Sequence, residues 1–337
     1  MTGAVVIAVD AMGGDQGPAA TVPAVTAFLQ THPEARVVLY GSAQALSQVR
    51  PDRAGRLTLV ECAQWVASGD RPAQALRHKR DSSMWQALQA VAEGRADACV
   101  SAGDTGVLMA MGIAAVGTLQ GIERPAICTL LPTVAGRVCL LDLGANVDCD
   151  AGQLHQFARM GAARLQAEGL GRPPRVALLN VGVEAGKGNR VVKAAAELLG
   201  ADPALDYQGF VEGDRLLQGS VDLVVCDGFV GNVALKSIEG VARLLLERLE
   251  AALRASPAWR RLAVGPLLAA ALGFLDPAQY NGASLLGLRG VVVKSHGGAD
   301  RKGFGHALGT ALIEACGRLP QRIATRLIDP TPPSYTS

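Results

Sequence analysis

The 337-residue chain predicts an α/β protein, a three-layer α/β/α sandwich with helices on both faces of a mostly parallel sheet. Three observations carry that expectation. Short apolar runs rich in β-branched residues, such as Val5–Val9 and Val221–Cys226, suit strands covered on both faces. Those runs alternate with helical patterns from one end of the chain to the other. The 40 glycines gather in polar corners behind the runs, where tight turns and close backbone approach are needed.

Taken in order, Val5–Val9 is a first buried strand that ends in Asp10-Ala-Met-Gly13-Gly14-Asp15. A helix over about Pro18–Leu29 and a strand over Arg36–Tyr40 follow, then a short strand at Leu57–Val60. The basic stretch Arg77-His78-Lys79-Arg80 leads to Asp81-Ser82-Ser83, where an acidic or hydroxyl side chain caps the helix MWQALQAVAEG. Ala98–Ser101 is the next strand and breaks at Ala102-Gly-Asp104-Thr-Gly106. Two neighbouring strands come next, near Pro125–Leu131 and Arg137–Leu143, the second ending in Asp142-Leu-Gly-Ala-Asn146. A helix over about Gln153–Glu168 precedes the strand Arg175–Val181 and the loop Gly182–Asn189, which carries Gly186, Lys187 and Gly188. Val221–Cys226 ends in Asp227-Gly228, and Gly231-Asn232 leads into a long amphipathic helix. The strand Gly290–Lys294 ends in Ser295-His296-Gly297-Gly298, with Arg301 close behind, and a helix near Ala307–Arg318 closes the chain. Residues 1–328 are expected to form one domain with a helical excursion at about 250–282, and 329–337 a tail.

In parallel sheets, ligands sit outside the carboxyl ends of the strands. Asp10, Ser101, Asp142, Asn180, Asp227 and Lys294 each begin such a loop, and the expectation is that all six open on one edge. Free N–H groups at the following helix starts favour an anion there. Several of the same polar residues could equally be plain helix caps or turn formers, Asn232 among them.

Composition and spacing exclude several classes. A net charge of +2 argues against a dedicated nucleic-acid binder. Around Lys187 the spacing is one residue short of GxxxxGK, and glycine replaces the hydroxyl that would hold magnesium. No GxGxxG opens a helix with an acidic residue about twenty positions on, so no dinucleotide or other cofactor is expected. The carboxylates are spread over separate loops without metal-ligand spacing, so no metal is expected either. There is no GxSxG elbow for a serine nucleophile. Seven cysteines without a CxxC pair suit reduced buried thiols, and the absence of a signal-like start completes a cytoplasmic expectation. Leu262–Leu275 carries no charge and follows Trp259-Arg260-Arg261. Fourteen residues are too short to span a bilayer, which leaves an interfacial membrane segment or a buried dimer hairpin.

The stretches VDAMGGD, KRDSSM, VSAGDTG, LDLGANVDC, EAGKGN, VCDGFVGNVALKSIEG, YNGASLLGLRG and VKSHGGADRKGF stand in order over residues 4–327. In these the chain resembles the bacterial phosphate acyltransferases of phospholipid synthesis (PlsX). The resemblance implies transfer of a fatty acyl group from acyl carrier protein to inorganic phosphate. It also implies a fold similar to phosphotransacetylases and isocitrate-type dehydrogenases, a homodimer, and peripheral membrane association through Trp259, Leu262, Leu267, Leu268, Leu272 and Phe274. The acyl phosphate would pass to a membrane glycerol-3-phosphate acyltransferase. Asp104 departs from the family's usual asparagine and sets a negative charge beside a site meant for phosphate. From loop position, Lys187 and Lys294 are expected to hold phosphate or oxyanion, with Asn232 and His296 orienting the carbonyl. Asp10, Gly13, Gly14, Ser101, Asn146, Gly186, Gly188, Asp227, Gly231 and Arg301 are expected around them. The run Arg77–Arg80 is expected to dock the acidic carrier.

Overall fold

Strand order follows from three reversals in an otherwise parallel sheet. In the computed structural model, which describes residues 4–47, 49–50, 54–257, 265 and 277–328, β1 (Val5–Asp10) lies parallel between β2 (Ala35–Gly41) and β4 (Ala98–Ser101). Outside these, β3 (Leu57–Glu61) pairs with β2 and β11 (Val291–Lys294) with β4, both parallel. Then β10 (Ala283–Leu286) runs against β11 and against β5 (Ala126–Thr133), and β5 runs against β6 (Gly136–Leu141). Parallel pairing resumes through β9 (Leu223–Val225), β7 (Arg175–Leu179) and β8 (Asp206–Val211). The order is β3-β2-β1-β4-β11-β10-β5-β6-β9-β7-β8.

This topology corrects the expectation of one shared edge. Because direction reverses an odd number of times between β11 and β6, the loops after Asp10, Ser101 and Lys294 open on one edge. Those after Asp142, Asn180 and Asp227 open on the other. The antiparallel strand β10 and the edge strand β8 carry too weak an alternation to be read as strands from sequence.

Helices cover both faces. Helices α1 (Pro18–Thr31) and, near the C-terminus, Arg301–Cys316 (α9 below) bury Phe28 and Phe304 against one face of the β1-β4-β11 block. On its other face, α4 (Ser83–Ala92) and α5 (Thr105–Ala115) bury Met84, Leu88, Leu108 and Met111. Burying each such side chain contributes about 1.5–3 kcal/mol. The second block packs α6 (Ala151–Ala167), α7 (Arg190–Ala201) and α10 (Leu319–Ile328) through Phe157, Leu199 and Ile323. Between α1 and α4 the chain adds the short α2 (Ala43–Leu46) and α3 (Pro72–His78).

The local signals explain the helix starts. Asp150 and Gln153 form a reciprocal capping box on α6, and Asn189 accepts the Val192 N–H on α7. The long α8 (Gly228–Ala255) begins three residues earlier than the glycine-asparagine pair suggests, because Asp227 accepts the Val230 N–H at 2.8 Å. Asn232 therefore sits inside the helix and is not its cap.

One buried ion pair crosses the layers. Arg164 of α6 meets Glu314 of α9 at 3.1 Å and Glu168 at 2.8 Å, and Ser284 of β10 donates to Glu314. Both Arg164 and Glu314 are almost fully buried, so removing one partner alone costs about 3–5 kcal/mol.

Candidate active site

The first-edge loops and α8 enclose a cavity of about 1380 Å³. Helix α8 starts at the β9 end of the sheet and runs back across its face toward the β1-β4-β11 loops. The cavity lies between that helix and β5. Its wall on the sheet side, Ile127, Leu131 and Leu143, belongs to the main core, and Leu217, Leu235 and Ile238 pack onto that core from around it. Its opposite end is polar, with Asn281, Lys294 and His296 and the backbone of Gly14, Gly103 and Gly297; along α8 the lining adds Lys236 and, beside Gly144, Asn232.

Asp10 sits beneath this polar end and does not line it. Its carboxylate accepts from Ser83 Oγ at 2.6 Å, Ser101 Oγ at 2.7 Å and the Met12 N–H at 3.1 Å. Ser101 Oγ in turn accepts the Gly103 N–H at 3.0 Å. Burial pushes the Asp10 carboxyl up from its ordinary value, while these donors pull it back. The network ties the Met12–Gly14 turn to the Ala102–Asp104 turn, so Asp10 and Ser101 fix the loops that face the cavity. Gly13 is required there: a methyl group would run into the Gly103 N–H and the Asp10 carboxylate. Gly14 takes a φ of 87°, which glycine adopts without strain.

Of the two lysines that line the cavity, Lys236 is exposed and Lys294 is the more buried. Its ammonium donates to the carbonyls of Ala102 (3.3 Å) and Ser295. Burial pulls its pKa down to about 8, with Asp104 opposing the fall and Lys236 adding to it. Asp104 spends its side chain on the α5 N-terminus, accepting the Val107 N–H at 3.0 Å, and its charge still favours the lysine's ammonium form.

His296 is held by two backbone bonds. Its N–H donates to Asn281 Oδ1 at 2.7 Å, and its Nδ1 accepts the Gly298 N–H at 3.0 Å. Asn281 is fixed by its own bond to Ser295 Oγ at 2.8 Å. Burial, and next Lys236, lower the His296 pKa, so the neutral ring is favoured. With Nδ1 accepting, the neutral ring carries its proton on Nε2 and presents a donor.

The remaining expected residues divide. Gly14, Asn232, Lys294 and His296 line the cavity; Asp10, Gly13 and Ser101 support it. Gly186, Lys187 and Gly188 lie in the exposed loop after β7, on the second edge, and do not line it. Asn146 is buried against Asp142 and donates to the Pro125 carbonyl at 2.9 Å. Asp227 caps α8, and Gly231 lets that helix approach the Asp142 carbonyl, which a methyl group would overlap. Arg301 starts α9 (Arg301–Cys316) as an exposed side chain and does not line the cavity, although its neighbours Asp300 and Gly303 do. Trp259, Leu262, Leu267, Leu268, Leu272 and Phe274 fall outside the described residues. No helix among the described residues is long and apolar enough to cross a membrane. No group of three His, Cys, Asp or Glu side chains among the described residues is placed to hold a metal ion.

Sequence reading missed Lys236, Glu239 and Asn281. Lys236 and Glu239 follow Asn232 at helical spacing and could have been found by continuing down that face. The apolar wall had no local signal, since Ile127, Leu143 and Leu217 meet only through the sheet.

Comparison with known proteins agrees with this architecture. Residues 5–322 match the family described as fatty acid synthesis protein. The chain is 52% identical to the phosphate acyltransferase of Stutzerimonas stutzeri, over 96% of this chain and 92% of that one. It is 47% identical to the phosphate acyltransferase of Vibrio campbellii, over 96% of each. Among solved structures, a phosphotransacetylase from Streptococcus pyogenes superimposes with a TM-score of 0.59 at 17% identity, covering 93% of this chain and 94% of that one. That likeness establishes the α/β fold. On sequence, the chain belongs to the fatty acid synthesis protein family and, within it, to the phosphate acyltransferases.

Proposed function

We propose that this phosphate acyltransferase moves a fatty acyl group from the thioester of an acyl carrier protein onto inorganic phosphate, in the cavity between α8 and the β1-β4-β11 loops. The observation that carries the reading is the cavity's division: a continuous apolar wall leads to a polar end with one partly buried ammonium. An acyl chain fits the wall, at about 0.8 kcal/mol per buried methylene. Phosphate fits the Lys294 ammonium and the surrounding loop amides.

The chemistry needs no enzyme nucleophile. A phosphate oxygen attacks the thioester carbonyl carbon, its electron pair forming the new C–O bond. The carbonyl π pair moves to oxygen, then returns as the C–S bond breaks and the thiolate leaves. A thiol of pKa near 8.5 leaves without strong acid assistance. The enzyme's work is positioning and oxyanion stabilisation. Lys294 holds phosphate; Asn232 and the Nε2–H of neutral His296 receive the carbonyl oxygen as it gains charge. Lys187, exposed on the other edge, has no part in this pocket.

Two wider features belong to the same reading. Val233, Val241 and Leu244 leave an exposed apolar face on α8, which fits pairing with a second copy in a homodimer. The uncharged stretch 262–275 beside Trp259 fits reversible attachment to a membrane surface in the cytoplasm, where a membrane glycerol-3-phosphate acyltransferase would take up the product.

The test is to mix protein, acyl carrier thioester and phosphate, and trap acyl phosphate with hydroxylamine. Product that disappears when phosphate is left out supports the reading; thioester loss without phosphate dependence would instead identify a thioesterase, and no turnover a non-catalytic acyl binder.

A further inference from the structure

The mouth of the cavity has a built rim that the transfer chemistry does not use. The loop between β3 and α3 carries Trp65 at its lip, 46% exposed. That loop is stapled in place: Lys79 donates to the Trp65 carbonyl at 3.0 Å and pairs with Asp70, which also accepts the Ala67 N–H at 2.7 Å. The basic run thus separates into parts. Lys79 is spent on the staple, and Arg80 lies over the Trp85 ring at 5.3 Å. Arg77 is exposed, as is Arg71, which precedes the Pro72 that packs beside Gly106 at the cavity's edge. Across the mouth, Arg243 of α8 lines the cavity and is exposed. Arg71, Arg77 and Arg243 pair with no carboxylate among the described residues.

An exposed indole on a stapled loop, with unpaired guanidinium groups at the start and on the turns of the following α3 and on α8 across the cavity, has the anatomy of a protein-binding hot spot. A small free thioester would need none of it. We propose that Trp65, Arg71, Arg77 and Arg243 form the landing surface for an acidic carrier protein, which docks there so that its thioester arm descends into the cavity. The inference rests on the acyl-transfer reading above and adds the surface and its charge. The sign follows from the rim, because three cations speed and orient the approach of an anionic face and repel a basic one. Lys79 acts only by holding the platform.

The experiment compares two acyl donors, the carrier-borne thioester and the same acyl group on free pantetheine. In the double variant Arg71→Glu/Arg77→Glu, the apparent KM for the carrier-borne donor is expected to rise at least about tenfold. Its dependence on salt should flatten, while kcat and the pantetheine reaction stay as in wild type. Direct binding of the unacylated carrier to Trp65→Ala should weaken by a similar factor. An unchanged carrier KM in the double variant overturns the inference, as does an equal loss with both donors. If wild type makes acyl phosphate from neither donor, the acyl-transfer reading fails and takes the rim with it; acyl phosphate with an unmoved carrier KM sinks the rim alone.

Discussion

Replacing Asp104 by asparagine removes one charge beside Lys294 and leaves almost everything else in place. Asparagine caps helices about as well as aspartate, so the bond to the Val107 N–H and the start of α5 survive. Lys294 titrates near 8, with burial pulling it down and Asp104 the largest opposing influence. The direction follows: a lysine is charged below its pKa, so the ammonium is present on the acid side of about 8 and fades above it. Without Asp104 the pKa falls further, and the alkaline limb of activity moves to lower pH. A neighbouring opposite charge shifts a pKa by about one to three units when both are buried, but Asp104 is exposed and partly screened. A shift of about half a unit to one unit is the expected size. The ratio of variant to wild-type kcat/KM for phosphate should then be close to one at pH 6.5 and drop about two- to fivefold at pH 8. Taking the ratio cancels the titration of phosphate itself. The assay is hydroxylamine-trapped acyl phosphate across pH 6–9.5. A flat ratio, or a limb moved to higher pH, would refute the assignment of Lys294 as the cation that must stay charged.

Four further outcomes follow from the same geometry. His296→Ala should lower kcat about 10²- to 10³-fold by removing one oxyanion donor, whereas Lys187→Ala should leave phosphate turnover within about twofold of wild type; steady-state kinetics reads both. Wild-type KM should fall about tenfold for each two methylenes added to the acyl chain until the wall is full, and Ile238→Asn should blunt that dependence in a chain-length series. Gly231→Ala should destabilise by about 1–3 kcal/mol or more, because the new methyl overlaps the Asp142 carbonyl; denaturant unfolding measures it. Arg164→Met should cost about 3–5 kcal/mol by stranding Glu314, and Arg164→Met/Glu314→Leu should recover most of that loss on the same curves.

Much of the layer architecture is legible in the sequence because strand runs such as Ala98–Val100 are continuously apolar and their following caps are chemically plain. What local pattern cannot carry is direction. Nothing in Ala283–Leu286 announces that it runs antiparallel; its two reversals cancel, and the β5–β6 hairpin sends the Lys187 loop to the far edge. The same limit governs the site. Lys294 and His296 stand directly after a strand and could be picked out, while Lys236 reaches them only because α8 folds back over the sheet. Asp10 shows a related effect: its loop position suggested substrate contact, but the Met12 N–H and two hydroxyls distant in sequence, Ser83 and Ser101, make it the tie between two turns. Gly231 and Asn146 looked functional for the same reason and are explained by close packing around Asp142.

A crystal structure with phosphate and a non-hydrolysable thioether analogue of the acyl carrier arm bears most directly on where the two substrates meet. The phosphate should lie within hydrogen-bonding distance of Lys294 Nζ, with the carbonyl oxygen toward His296 Nε2 and the chain along Leu235 and Ile238. Phosphate bound instead at the Lys187 loop, with the cavity beside α8 holding no acyl chain, would contradict it.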